Sequence, residues 1–213
     1  MNHVVLLGDS IFDNAAYVPG QPDVIWQVRA KLPSGWRATL LAVDGAIIRD
    51  VEGQLRNLPA DTSHIVMSVG GNDALGAAHV LFENVRSVAE TLVKLSIIRE
   101  QFATDYRRML DTIMAHEVTI AVCTIYDGCA DSEAQQRVNV TALTIFNDVI
   151  TREAFRRGLP IIDLRLICNE PADYANPIEP SVLGGKKIAA AIAELVASDG
   201  SFPRSQVFTS NAV

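Results

Sequence analysis

Short runs of consecutive apolar residues, rich in Val, Ile and Leu, alternate along the chain with longer amphipathic segments. The five runs cover residues 3–7, 38–43, 64–69, 118–124 and 160–163. They are apolar at successive positions rather than at every second position, which is typical of strands in a parallel sheet that is covered on both faces. The pattern therefore predicts five buried parallel strands.

The segments between and after these runs predict helices at residues 24–32, 48–57, 83–115, 132–157 and 183–197. The first places Val24, Val28 and Leu32 on one face, and the 48–57 pattern is weaker. The run at residues 92–98 leaves open whether the third helix is continuous. Gly158 and Pro160 predict a firm end for the fourth.

This order of elements predicts an α/β fold, a three-layer α/β/α domain with a doubly wound five-stranded parallel sheet and right-handed crossovers. Ligands bind such sheets at the carboxyl ends of the strands, so the loops that follow the strands are the candidate site. The domain is expected to span residues 1–197. The polar tail at 198–213 is expected to be a loosely held end, with an arm on a neighbouring subunit as the alternative.

Composition narrows the class of protein. The 213 residues carry a formal net charge of −7, which disfavours nucleic acid and anionic membrane surfaces as partners. No apolar run approaches the roughly 18 residues that cross a bilayer, and the first residues do not resemble a signal peptide, so a cytoplasmic location is expected. Three cysteines do not form a disulfide framework, and no metal-ligand spacing occurs.

Glycine and polar residues follow three of the predicted strands, as Gly8-Asp9-Ser10, Asp44-Gly45 and Gly70-Gly71-Asn72-Asp73. A serine at a strand-to-helix turn can expose its hydroxyl as a nucleophile, and an asparagine amide beside backbone N–H groups can stabilise an oxyanion. Each loop alone also has a structural interpretation, as a helix-capping turn, a turn glycine or a Gly-Gly-Asn-Asp turn.

Together the three loops resemble the SGNH (GDSL-type) hydrolase family, in which GDS, Gly and GGND blocks follow successive strands in this order. The resemblance extends over essentially the whole chain. It implies a flavodoxin-like fold and the hydrolysis of acyl esters of small molecules, with no cofactor or metal. It also implies that Ser10 is the nucleophile and that the backbone N–H groups of Ser10 and Gly45 and the Asn72 side chain form the oxyanion hole.

The family's last block, Asp-x-x-His before a helix, is altered in this chain. Asn176 stands where Asp is expected and Glu179 where His is expected, while Pro180 and Ser181 match the flank. We expect Glu179 to act as the base and the Asn176 amide to orient it without the repulsion that a second carboxylate would add. Alternatively, Glu179 is an acid that satisfies free N–H groups at the start of the last helix.

Glutamate is intrinsically a weaker base than histidine. Its ordinary pKa of about 4.3, against about 6.5 for His, costs roughly tenfold to a hundredfold in rate. A helix N-terminus just after Glu179 would lower the pKa further, whereas burial would raise it, and the sequence leaves this balance open.

Other titratable residues are weaker candidates. His79 follows the GGND loop and is a minor candidate base, while His3, His64 and His116 lie at the wrong ends of their strands. Asp173 is expected to be a solvated loop acid rather than an orienting residue. Asp13 and Asp73 are expected to fix loop conformation.

The leading hypothesis is a serine hydrolase that cleaves a small carboxylic ester through an acyl-enzyme. The alternative is a catalytically weak or inactive protein of this fold that binds a small ligand or partner. A carbohydrate-modifying transferase that uses the same serine is a third hypothesis. Residues 74–100 are expected to shape the substrate pocket, and the oligomeric state is open.

Overall fold

The computed structural model describes residues 2–198, so the predicted tail lies outside the described residues except for Ser198. Five parallel strands form the main sheet in the order β2-β1-β3-β4-β5. Their bounds are β1 Asn2–Gly8, β2 Trp36–Leu40, β3 His64–Ser68, β4 Thr119–Cys123 and β5 Ile161–Ile162. This confirms the predicted doubly wound sheet and places β1 and β3 at its centre, where the strand order reverses.

Seven α-helices, four short 3₁₀ helices and one hairpin complete the described part of the chain. The helices are α1 Val24–Lys31, α2 Val51–Leu55, α3 Gly71–Ala77, α4 Val88–Met114, α5 Glu133–Arg157, α6 Leu164–Ile167 and α7 Val182–Ala197. The hairpin pairs β6 Tyr174–Asn176 with β7 Glu179–Pro180. Among the described residues, no helix is long and apolar enough to cross a membrane.

Alternate residues of β1 face two separate cores. Val4 and Leu6 pack with residues of α1 and α7 on one face, and Val5 and Leu7 pack with residues of α2, α4 and α5 on the other. All four side chains are fully buried. The continuous apolar pattern of this strand follows from the helical layer on each side.

Three elements differ from the sequence-based expectations. α4 begins at Val88, after the Ser87 cap, and runs unbroken through residues 92–98, because that stretch contains no Gly or Pro to interrupt it. The Gly-Gly-Asn-Asp segment opens α3 instead of forming only a turn. The β6–β7 hairpin lies where only a loop before the last helix was expected.

Candidate active site

Ser10 lies two residues after the end of β1, at the carboxyl edge of the sheet. Its loop depends on Gly8, which has a φ of +121° and lies so close to β3 that a Cβ there would sit 1.7 Å from the Ser68 carbonyl oxygen. The buried Gln54 side chain holds the same glycine, accepting from its N–H at 2.8 Å and donating to its carbonyl at 2.7 Å. These contacts fix the backbone that presents the serine.

Glu179 meets Ser10 directly. The Ser10 hydroxyl donates to Glu179 Oε1 at 3.0 Å, although the two residues are 169 positions apart in the chain. Both are buried, with 6% of Ser10 and 4% of Glu179 exposed. The hydrogen-bond partner of Ser10 is therefore a carboxylate, whereas the family that the sequence resembles has a histidine at this position.

The backbone on each side of Glu179 is anchored. The Tyr126 hydroxyl donates to the Ile178 carbonyl at 2.6 Å, and Asn14 Nδ2 donates to the Pro180 carbonyl at 3.1 Å. The Asn14 oxygen also accepts from the Val24 N–H at the start of α1. These hydrogen bonds to the carbonyls of Ile178 and Pro180 position Glu179 through its backbone. The Glu179 carboxylate therefore remains available to Ser10.

Burial raises the pKa of Glu179 to about 7, with the Asp44 charge acting in the same direction and the Ser10 hydrogen bond opposing it. Burial thus brings the pKa of Glu179 close to that of an ordinary histidine. Its second oxygen, Oε2, is buried and has no hydrogen-bond partner among the described residues. That oxygen is available to a donor that enters the site.

The predicted oxyanion donors Asn72 and Gly45 line two different cavities. Asn72, on α3, borders the same cavity as Ser10, and its Nδ2 donates to the Ala46 carbonyl at 3.0 Å, which leaves its second amide hydrogen free. Gly45 lines a neighbouring open cleft rather than this cavity. Within the described residues, the backbone N–H groups of Ser10 and Gly45 have no protein acceptor.

Asn176 is not placed against the Glu179 carboxylate. It is exposed, and its side-chain oxygen accepts from the Ile178 N–H at 2.9 Å, within the hairpin turn. The expected orienting role therefore has no support in the described contacts, because the Asn176 side chain closes the turn locally.

Asp173 is not a solvated loop acid, contrary to expectation. Only 1% of it is exposed, its carboxylate accepts from the Glu170 N–H, and Lys187 Nζ lies 2.7 Å from it. This ion pair ties the short 3₁₀ turn before β6 to α7, so the acid has a structural role.

The loop acids Asp13 and Asp73 have the role expected from sequence, and His79 lies outside the cavity. Asp13 accepts from the Asp44 N–H at 2.9 Å, and Asp73 accepts from the Ile48 N–H at 3.1 Å, so both acids fix loops. His79 is exposed, and its Nδ1 lies 3.2 Å from the Gly76 carbonyl of its own turn. It is not among the residues that line the cavity.

A cavity of about 160 Å³ opens beside Ser10 and Glu179. Most of its wall is apolar, and much of it comes from residues 74–100, as expected, and from α5. The larger aliphatic and Phe side chains that line it are Ile11, Leu75, Leu81, Leu95, Ile98, Ile125, Leu143, Phe146 and Ile178. The described lining contains no Lys, Arg or His, so the cavity suits an uncharged, apolar group.

Sequence reasoning assigned no role to Gln54, Asn14 or Tyr126. Tyr126 was detectable, because it follows β4 at the same sheet edge as the three loops that were examined. Gln54 and Asn14 act on backbone groups that are distant in sequence, and spacing alone gives no signal for such contacts.

Comparison with known proteins agrees with the fold and with the motifs. The model of the GDSL-like lipase/acylhydrolase family matches residues 6–184. Comparison with curated proteins gave no match.

Similar solved structures include an extracellular lipase from Streptomyces rimosus, with a TM-score of 0.66, 19% identity, and coverage of 93% of this chain and 100% of that one. The lipase/acylhydrolase from Enterococcus faecalis has a TM-score of 0.67 and 18% identity, covering 92% and 95%. The acetyl xylan esterase AlAXEase has a TM-score of 0.64 and 17% identity, covering 91% and 99%.

Proposed function

The chain belongs to the GDSL-like lipase/acylhydrolase family, and from this premise we propose that it cleaves carboxylic esters through an acyl-enzyme on Ser10, with Glu179 as the base. The family implies ester hydrolysis, whereas the assignment of the two residues is our proposal. The observation that carries it is the 3.0 Å hydrogen bond from the Ser10 hydroxyl to a buried carboxylate.

The chemistry runs in two halves. Ser10 Oγ attacks the ester carbonyl carbon and its proton passes to Glu179 Oε1, after which the tetrahedral intermediate expels the alcohol, which takes that proton from Glu179. Water then attacks the acyl-enzyme and gives a proton to Glu179, which passes it to Ser10 Oγ as the bond between the acyl carbon and Oγ breaks and the carboxylic acid leaves. The oxyanion would be stabilised by the Ser10 and Gly45 N–H groups and the Asn72 amide.

The position of Glu179 suits a base in both halves. A pKa of about 7 leaves about half of the carboxylate ionised at neutral pH, which is the range in which a general base is most effective. Its free Oε2 could hold the incoming water while Oε1 faces the serine.

The cavity indicates the kind of ester. We propose a neutral substrate with an aliphatic acyl group, because the wall is mainly apolar and its described part carries acids but no cation. The names of the similar structures range from lipase to acetyl xylan esterase, so the fold alone does not specify the acyl group.

Hydrolysis of p-nitrophenyl acetate, butyrate and hexanoate by the wild type and by Ser10→Ala tests the proposal. We expect the Ser10→Ala variant to lose roughly 10³-fold or more of kcat/KM. Ser34→Ala is the matched control, because Ser34 is exposed in the turn before β2, at the amino end of the sheet. Wild-type activity in Ser10→Ala would refute the nucleophile, and an inactive wild type on all three esters would favour ligand binding without turnover.

A further inference from the structure

Large apolar side chains face solvent at the start of α4 and in the short 3₁₀ helix at residues 78–82 that contacts it. Five of them form what we call the α4 patch, and each is between 59% and 77% exposed: Phe82, Val88, Leu92, Val93 and Ile97. Isolated apolar side chains are normal on a protein surface, whereas a group of large ones on neighbouring turns marks a surface that binds a partner. The patch therefore predicts a partner that covers it.

One apolar stripe of α4 runs from the core to the patch. Phe102 is buried in the core, and Ile98 and Leu95 line the cavity of the candidate active site. Leu92 and Val88 follow on the same side of the helix and are exposed. These residues are spaced three or four positions apart, which places them on one side of an α-helix. The apolar surface is therefore continuous from the patch into the cavity.

The patch lies at the mouth of the cavity. Leu75 and Ile178 line the cavity and are also exposed, so they mark where it opens to solvent. Leu81, which precedes Phe82 of the patch, lines the cavity too. A protein that stayed bound here, a second copy of this chain included, would obstruct the entrance, whereas an aggregate of substrate molecules would supply it.

Charge indicates the kind of aggregate. Residues 82–97 carry two acids and two bases, so the region of the patch has no net charge. Lys94 pairs with Glu83 at 2.7 Å and lies 3.8 Å from Glu90, so its charge is balanced within the region. The chain as a whole has a formal net charge of −7, which opposes an anionic surface. The partner that fits is therefore apolar inside and uncharged or zwitterionic at its surface.

We propose that the α4 patch docks the protein on the surface of an aggregated lipid ester without net charge, whose acyl chain then enters the cavity along the α4 stripe. Attachment of this kind grows with the apolar area that enters the lipid, so each side chain of the patch contributes. Docking requires no turnover, whereas delivery of the ester to Ser10 rests on the proposed function. The two steps can therefore be tested separately.

Vesicle flotation tests docking in the absence of turnover. The full-length Ser10→Ala variant is mixed with vesicles of dioleoylphosphatidylcholine, which have no net charge, or with vesicles of anionic dioleoylphosphatidylglycerol. We expect the protein to float with the first at least about tenfold more than with the second. Absence of flotation with phosphatidylcholine, or a preference for the anionic vesicles, would overturn the proposal.

Matched variants locate the docking surface. In the same background, the triple variant Phe82→Ser, Leu92→Ser, Ile97→Ser should reduce flotation at least about tenfold. Its control, Trp26→Ser with Leu166→Ser, removes side chains of similar exposure from α1 and α6, on the opposite face of the sheet, and should float as before. Equal flotation of the two variants, both folded by circular dichroism, would overturn the proposal, as would a dimer in analytical ultracentrifugation that the triple variant dissociates.

Kinetics test the delivery of the substrate. With Ser10 intact, the triple variant should lose at least about tenfold more activity on emulsified tributyrin than on dissolved p-nitrophenyl acetate, and the control variant should lose activity on neither. Equal losses of the triple variant on both substrates would overturn delivery. A wild type that is inactive on both substrates would instead refute the proposed function and leave the flotation result standing.

Discussion

Replacing Glu179 with glutamine should make the protein more stable and much less active. Gln preserves the shape of the side chain and an oxygen that can accept from the Ser10 hydroxyl, but it does not take up the proton. General-base catalysis is worth roughly 10²–10⁴-fold, so we expect kcat/KM to fall by that factor. A base with a pKa of about 7 is about half ionised at pH 7 and only about 1% ionised at pH 5, so the wild type should lose about 50-fold between these values.

The gain in stability follows from the same pKa. The carboxyl ionises near 4.5 in the unfolded chain and near 7 in the folded one, so the folded state holds the extra proton between these values. Stability therefore falls as the pH rises from about 4.5 to 7, and above 7 the ionised carboxylate costs the folded state about 3 kcal/mol. Gln removes this cost but adds a buried amide, so we expect a net gain of about 1–3 kcal/mol at pH 8.

The assay pairs pH profiles of kcat/KM on p-nitrophenyl butyrate with urea unfolding at pH 5 and pH 8. Glu52→Gln is the control, because Glu52 is an exposed glutamate on α2 outside the cavity. An acid limb near pH 7 that survives in Glu179→Gln would show that another group is the base. A variant less stable than the wild type at pH 8 would show that burial does not penalise the Glu179 charge.

Other changes test the parts of the site separately. The double variant Glu179→His with Asn176→Asp should stay within about tenfold of wild-type kcat/KM, because burial already gives the glutamate the basicity of histidine; a gain beyond a hundredfold would contradict this. Gly8→Ala should destabilise the fold by about 3 kcal/mol or more in urea unfolding, because the new Cβ would overlap a carbonyl of β3. The control is Gly53→Ala in α2, where a Cβ would have no atom within 4 Å. It should be neutral or stabilising by up to about 1 kcal/mol. Leu143→Trp should lower kcat/KM at least about tenfold more for hexanoate than for acetate. Equal losses would show that the acyl group does not bind against this wall of the cavity.

The sheet and the three loops of the candidate site were predictable because each depends on local sequence. An apolar run such as 64–69 identifies a buried strand, and Gly8-Asp9-Ser10 or Gly70-Gly71-Asn72-Asp73 marks the strand end that follows. Parallel strands bring these ends to one edge, so nearness in space follows from order in the chain. The structure does not test the expected cytoplasmic location, which stays a prediction.

The base was harder to judge, because its strength depends on its environment. Glu179 could be matched to the family's histidine by its flanking residues, but only the fold shows it buried against Ser10 and held through Tyr126 and Asn14. The predicted orienting role of Asn176 finds no support in the structure, because this side chain makes a local contact instead of a distant one. Its short side chain satisfies the nearest backbone N–H, a local contact that competes with any longer-range role.

Asp9 and Asp173 illustrate the same limit for acids. Each stands in a polar loop motif, where sequence favours solvation, yet one is buried without a cation and the other is buried on Lys187. The difference arises from the charges near each loop: Glu179 and Asp73, from distant parts of the chain, act on Asp9, whereas Lys187, 14 residues further on, pairs with Asp173.

Covalent trapping of the nucleophile tests the central claim most directly. An alkyl fluorophosphonate reacts with an activated serine, and intact-mass spectrometry followed by peptide mapping locates the adduct. The account predicts a single phosphonyl group on Ser10, absent from Ser10→Ala and formed at least about 100-fold more slowly in Glu179→Gln. An adduct on another residue, or none on the wild type, would contradict it.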